Sequence, residues 1–117
     1  MQHAKKNRTL SRSKSQRTAL LRGLAIALFE EGKIKTTLAK AKELKPYAEK
    51  IITTSKTDSV VNRRSVASKL GEPTDKTIKS IFEKVALNYS DRAGGYTRII
   101  KMGRTSAGRD EAVIELV

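Results

Sequence analysis

The stretch TDKTIKSIFEKVALNYSDRAGGYTRIIKM, residues Thr74–Met102, decides the fold. In its first half Ile78, Ile81, Phe82, Val85 and Tyr89 recur at spacings of three and four, the period of one helix face. Thr74 or Asp75 supplies the cap. Gly94-Gly95 then breaks the pattern, and Tyr96 to Met102 alternates loosely with the period of a strand. A chain that changes period within so short a stretch belongs to a domain holding both helices and sheet.

Toward the C-terminus, residues 103–110 read as a loop rich in Gly and Arg. Glu111 to Val117 alternates again, with Ala112, Ile114 and Leu116 on one face, and should pair with the preceding strand as a hairpin. Toward the N-terminus, a helix over Val60–Leu70 follows a cap at Asp58 or Ser59 and ends at Gly71, before the Glu72-Pro73 turn. Another helix, capped by Thr36 or Thr37, carries Ala41, Leu44, Ala48, Ile51 and Ile52 on its apolar face. Pro46 inside it removes a donor and predicts a kink or two abutting pieces. Lys45 and Glu49, four apart, should pair weakly on its exposed side. Lys33–Thr37 is a short β-compatible run able to add a third strand.

The first helix is expected from Arg17 to Glu31, capped by Ser15 and stopped by Gly32. Leu21, Leu24 and Leu28 share a face that Leu20, Ala25, Ala27 and Phe29 widen, which predicts a largely buried helix. Gly23 within it suggests a close packing contact. Residues 1–14 show neither period and read as an extended basic arm. The fold class is therefore α+β: about four helices packed on a small mixed or antiparallel sheet, residues 15–117, preceded by the arm.

Charge narrows the function. Among 117 residues, 25 Lys and Arg oppose 12 Asp and Glu, for a net charge of +13. Residues 1–22 hold seven of the cations and no acid, so more than half of the net charge lies in under a fifth of the chain. Such self-repulsion is relieved by a polyanion, most commonly nucleic acid. Lys and Arg interspersed with Ser, Thr, Asn and Gln, as in the arm, suit phosphate and ribose hydroxyls.

The same composition excludes much else. With no cysteine there are no disulfides, thiol nucleophiles or Cys-based zinc sites. The single histidine, His3, lies in the arm without a structured base beside it, which argues against a Ser-His-acid site and His-rich metal clusters. Neither glycine-containing loop has a P-loop ending. No apolar run reaches the roughly 20 residues that span a bilayer. An organelle transit peptide would need an apolar face, yet before Thr18 the only apolar residues are Met1, Ala4 and Leu10. Neither a cofactor nor a small-molecule substrate is implied, and an enzyme is not expected.

Five aromatics are too few for a base-stacking platform, since Phe29, Phe82 and Tyr89 fall on core faces. Tyr96 reads as core twice as readily as a base-stacking residue. Recognition should run through phosphate, sugar and shape. The candidate contacts are His3, Lys5, Lys6, Arg8, Arg12, Lys14, Arg17 and Arg22 in the arm and first helix. Lys33, Lys35, Thr36, Thr37 and Lys40 follow around the first strand, then Arg92, Arg98, Arg104 and Arg109 near the Gly pair and the hairpin. A non-specific DNA-binding nucleoid protein is the rival on charge alone. A small enzyme would need a cleft lined by perturbed acids.

Several blocks carry a resemblance. The arm holds Met1, His3, Lys5, Arg8, Leu10 and Arg12 and continues as Arg17-Thr18-Ala19-Leu20-Leu21-Arg22-x-Leu24. Then come Ile34-Lys35-Thr36-Thr37-Leu38-Ala39-Lys40-Ala41-Lys42-Glu43 and Ala48-Glu49-Lys50. Gly94-Gly95-Tyr96-Thr97-Arg98-Ile99-Ile100-Lys101 and the closing Ile114-Glu115-Leu116-Val117 complete the set. In order and spacing these blocks resemble the bacterial family of ribosomal protein seventeen of the large (50S) subunit. Gln2, Ala4 and Gln16 stand where that family usually has Arg, Arg and His, so the arm is less basic, and the loop after Met102 lacks the family's common proline. The resemblance implies an α+β structural protein bound to large-subunit ribosomal RNA. Its place would be beside neighbouring ribosomal proteins near the peptide-tunnel exit, in a cytoplasmic ribosome, supporting subunit assembly and translation.

Overall fold

The computed structural model describes residues 13–117. Helix α1 spans Lys14–Glu31 and begins three residues earlier than its pattern suggests. The reason is a capping box: the Ser13 hydroxyl accepts from the Gln16 amide, and the Gln16 side chain accepts from the Ser13 amide, both at 3.3 Å. Ser15 cannot form that reciprocal pair, because Thr18 stands where the box needs Glu or Gln. The far end closes as expected. Gly32 takes the left-handed conformation, φ 83°, and its N–H reaches the Leu28 carbonyl at 2.8 Å.

Helix α1 docks most deeply through its C-terminal half, with Leu21 and Leu24 packed against the margin of the core. Ala25, Leu28 and Phe29 are buried, whereas Leu20, Leu21 and Leu24 are half-buried and Ser13–Gln16 are exposed. The expectation of a largely buried helix therefore fails for its first turns. The close contact expected at Gly23 is also missing, since a Cβ there would meet nothing within 4 Å.

Strand β1, Lys33–Thr37, leads into α2, Leu38–Ser55, where the Thr37 hydroxyl accepts from the Lys40 amide. Ala41, Leu44, Ala48, Ile51 and Ile52 are completely buried, as the spacing predicts. The helix is one continuous element through Pro46. Pro46 is exposed, so the carbonyl it deprives of a partner lies on the wet side of the helix, where water serves it.

Helix α3, Val60–Lys69, is capped by Ser59, and Gly71 follows it at φ 77°. Helix α4, Asp75–Ser80, is capped by Thr74. It does not continue as α: Ile81–Val85 widens into a π turn and Ala86–Tyr89 tightens into a 3-10 turn. The apolar stripe survives, with Ile78, Ile81, Phe82, Val85 and Tyr89 all buried. Ala86, four residues after Phe82 on the same face, is buried with them.

The sheet is antiparallel with order β1-β3-β2, where β2 is Thr97–Arg104 and β3 is Asp110–Leu116. Its strands run closer to the hairpin tip than expected, placing Arg104 opposite Asp110 and leaving 105–109 as the loop. The register aligns Ile34, Ile114 and Ile99 on the face that α1 and α2 cover. The opposite face carries Lys33, Glu115 and Arg98 in one row and Lys35, Val113 and Ile100 in the next.

Two tethers fasten β2 to α2. Tyr96 is buried, its ring centroid 5.2 Å from that of Tyr89. Its hydroxyl meets Thr53 at 3.1 Å and accepts from Lys56 at 3.2 Å. Lys45 and Glu49, expected to pair with each other, both reach Thr97 instead. Lys45 donates to its carbonyl at 3.2 Å, and Glu49 accepts from its amide and its hydroxyl at 3.2 and 2.9 Å. The first peptide of the edge strand is unsatisfied without them, and a peptide group near the core outweighs a weak solvent-side ion pair.

Candidate nucleic-acid interface

Two helix N-termini organise the cationic surface. The first turns of α1 and α2 contain no acid. Lys14 and Arg17 stand in and beside the first, and Lys40 in the second. Cations at the positive end of a helix dipole oppose the favourable arrangement and cost a few tenths of a kcal/mol each. An anion placed there meets free backbone N–H groups and removes the repulsion. The arm candidates His3, Lys5, Lys6, Arg8 and Arg12 lie outside the described residues.

Among the described residues, Lys14, Arg17, Lys33, Lys40 and Arg109 have no carboxylate within ion-pair distance. Thr37, Lys42 and Arg109, with Asp110, line a hollow of about 410 Å³ where the hairpin loop meets the start of α2. Lys42 was absent from the sequence-derived set. Its position four residues beyond Leu38, within reach of the same helix N-terminus, was the signal for it. Thr36 is half-buried mid-strand, opposite Ala112, and Thr37 spends its hydroxyl on the α2 cap.

The other candidates are engaged within the domain. Arg22 donates to the carbonyls of Lys69 and Ser68 at 3.2 and 3.5 Å, closing the C-terminus of α3, where the Tyr47 hydroxyl joins it on Lys69. It lies so close to Gly71 that a Cβ there would come within 3.1 Å of the Arg22 chain. Arg92 donates to the Gly95 carbonyl at 3.1 Å, and its own carbonyl accepts from Lys56. On the sheet, Arg98 pairs with Glu115 at 2.5 Å, Lys35 with Glu111 at 3.5 Å and Arg104 with Asp110 at 3.5 Å.

The perturbed titrating groups do not converge on a reaction centre. Burial raises the phenols of Tyr47 and Tyr89. The Thr53 hydrogen bond, then Lys56, lowers that of Tyr96. A bidentate pair with Arg63 on the surface lowers Asp58 and raises Arg63, whose guanidinium also lies over the Phe82 ring. Each shift belongs to a structural contact. Among the described residues no cluster of His, Cys, Asp or Glu has the make-up of a metal site, and no helix is long and apolar enough to cross a membrane.

Comparison with known proteins gives this surface its setting. A family model described as ribosomal protein L17 matches residues 20–117, every strand and all helices but the first turns of α1. This chain belongs to the ribosomal protein L17 family. It is 48% identical to the large ribosomal subunit protein bL17 of Dictyoglomus thermophilum, covering all of both chains. It is also 48% identical to that of Erythrobacter litoralis, covering all of this chain and 83% of the relative. The Gemmatimonas aurantiaca protein is 45% identical, with 98% of it covered. These matches to L17 relatives include residues 1–12, so that basic stretch of sequence belongs to the shared region.

Proposed function

We propose that this chain is a structural constituent of the large ribosomal subunit that binds large-subunit ribosomal RNA and supports subunit assembly and translation. Family membership across the whole chain supports this reading. The observation that carries it structurally is the pair of acid-free helix N-termini flanked by cations that no carboxylate neutralises. Phosphates of folded RNA complete both.

The division of labour follows from position. The segment before Ser13 feeds basic residues toward the start of α1 and acts as an RNA-binding arm. The domain adds Lys14, Arg17, Lys33, Lys40 and Arg109 as a second footprint on the RNA surface. Neighbouring proteins near the peptide-tunnel exit complete its surroundings, within a cytoplasmic ribosome. The role is architectural rather than catalytic, as the scattered titrating groups suggest.

Gradient sedimentation of cell extract containing the tagged chain tests the reading. The chain should co-migrate with the large subunit and persist through a salt wash at physiological strength. Migration with free protein, or with DNA, would remove the proposal.

A further inference from the structure

Apolar packing holds the first turns of α1 loosely. Ala25, Leu28 and Phe29 are buried, Leu21 and Leu24 sit at the margin of the core, and Ser13–Gln16 are exposed. Ser13 stands nine residues before Arg22, roughly 13.5 Å of helix. A tilt of about 15° over that length moves Ser13 by roughly 3–4 Å, more than a hydrogen bond to a phosphate tolerates.

Arg22 supplies the missing hold. Its Nε–H donates to the Lys69 carbonyl at 3.2 Å, and its Nη2–H donates to the Ser68 carbonyl at 3.5 Å. These carbonyls belong to the last turn of α3, the negative end of that helix, where a cation is favoured. The Tyr47 hydroxyl of α2 donates to the same Lys69 carbonyl, so three helices meet on it. The stem of Arg22 is held too. Gly71, at φ 77°, leaves room for it, and a Cβ there would come within 3.1 Å of the Arg22 Cδ. Ser13, Lys14, Ser15 and Thr18 line one hollow of about 550 Å³ with Arg22, so the tie lies on the side of α1 where the chain enters the helix.

We propose that Arg22 is a positioning residue for RNA binding. By locking α1 to the end of α3 it fixes the direction in which the basic arm leaves Ser13, and it makes no phosphate contact itself. The proposal rests on the RNA reading above. A fixed exit lowers the cost of ordering the arm on folded RNA. Arg22 thereby leaves the set of phosphate contacts that charge alone suggests.

A double-variant cycle with the full chain and large-subunit RNA tests this. Arg22→Ala is measured in the unsubstituted chain and in a chain carrying Lys5→Ala, Lys6→Ala, Arg8→Ala and Arg12→Ala, with a salt titration and thermal unfolding of each. The expected loss of affinity is roughly 5–10-fold in the first background, with the salt slope unchanged, and under about 2-fold in the second. Arg22→Lys keeps the charge and loses the planar fork, and should show the same arm-dependent loss. Tyr47→Phe removes the other donor on the Lys69 carbonyl and should lower the melting temperature without weakening RNA binding. Equal losses in both backgrounds with a slope lower by roughly 0.7–0.9 would make Arg22 a phosphate contact. Equal losses with the slope unchanged, or the same loss in Tyr47→Phe, would trace the effect to stability. No loss in the first background would mean that α1 needs no lock. Each of these overturns the positioning role and leaves the RNA reading intact. Failure of the unsubstituted chain to prefer large-subunit RNA over duplex DNA overturns both.

Discussion

The sheet and the helix N-termini both carry cations but use them differently. On β1, β2 and β3 the cross-strand register sets Lys35, Arg98 and Arg104 against Glu111, Glu115 and Asp110. At the starts of α1 and α2, Lys14, Arg17 and Lys40 stand where a helix prefers acids and meet none. Charge count alone would rank the two surfaces together. Pairing separates them: the sheet spends Lys35, Arg98 and Arg104 on cross-strand carboxylates, and the helix starts, with Lys33 of β1, keep the cations that the proposed reading gives to phosphate.

The largest effect should come from removing the arm while keeping the α1 cap. Truncation of residues 1–12 spares the Ser13–Gln16 box and deletes four cations. If each meets a phosphate, the salt slope of RNA binding should weaken by roughly 2.8–3.6. An unchanged slope would place all RNA binding on the domain. The comparison sharpens with two double variants. Lys40→Ala with Arg109→Ala should lower the slope by about 1.4–1.8, whereas Arg98→Ala with Arg104→Ala should leave it nearly unchanged. Equal losses would mean that the ion pairs do not withhold the sheet cations from RNA.

A smaller effect concerns Tyr96. Tyr96→Phe removes the contacts to Thr53 and Lys56 and should destabilise the domain by about 1–1.5 kcal/mol in thermal or urea unfolding, with the RNA salt slope unchanged. Loss of RNA affinity without loss of stability would make Tyr96 a stacking residue. The smallest effect lies at Asp58, whose carboxyl Arg63 holds below its ordinary value. A carboxyl lowered in the folded state adds stability above the unfolded value, near pH 3.9, and loses it as pH falls through the lower folded value. Asp58→Asn should therefore flatten the acid limb of the melting curve slightly and leave neutral-pH RNA binding alone.

Much of the fold was legible where a local rule had no competitor. The helical stripe from Ile78 to Tyr89, the stop at Gly32 and the cap at Thr37 each rest on neighbours in sequence. The misses share a different cause. Ser13 and Ser15 are equally good caps alone, and only Gln16 three residues after Ser13 decides between them. Lys45 and Glu49 obey the i,i+4 rule in isolation, but the distant Thr97 peptide recruits both. Gly23 and the first leucines of α1 followed an apolar pattern that the domain covers only partly before Ala25. The candidate site was legible as a set of cations. Which of them remain unpaired depends on strand register and on the packing of Arg22 against α3, neither of which a spacing rule contains.

The most direct test is salt-titrated binding of the full chain to large-subunit RNA, with duplex DNA of equal phosphate content as competitor. The account predicts that RNA wins by orders of magnitude at physiological salt, because two fixed helix N-termini and an arm match folded RNA rather than charge alone. Equal competition with the same salt slope would contradict it and reduce the surface to a non-specific polycation.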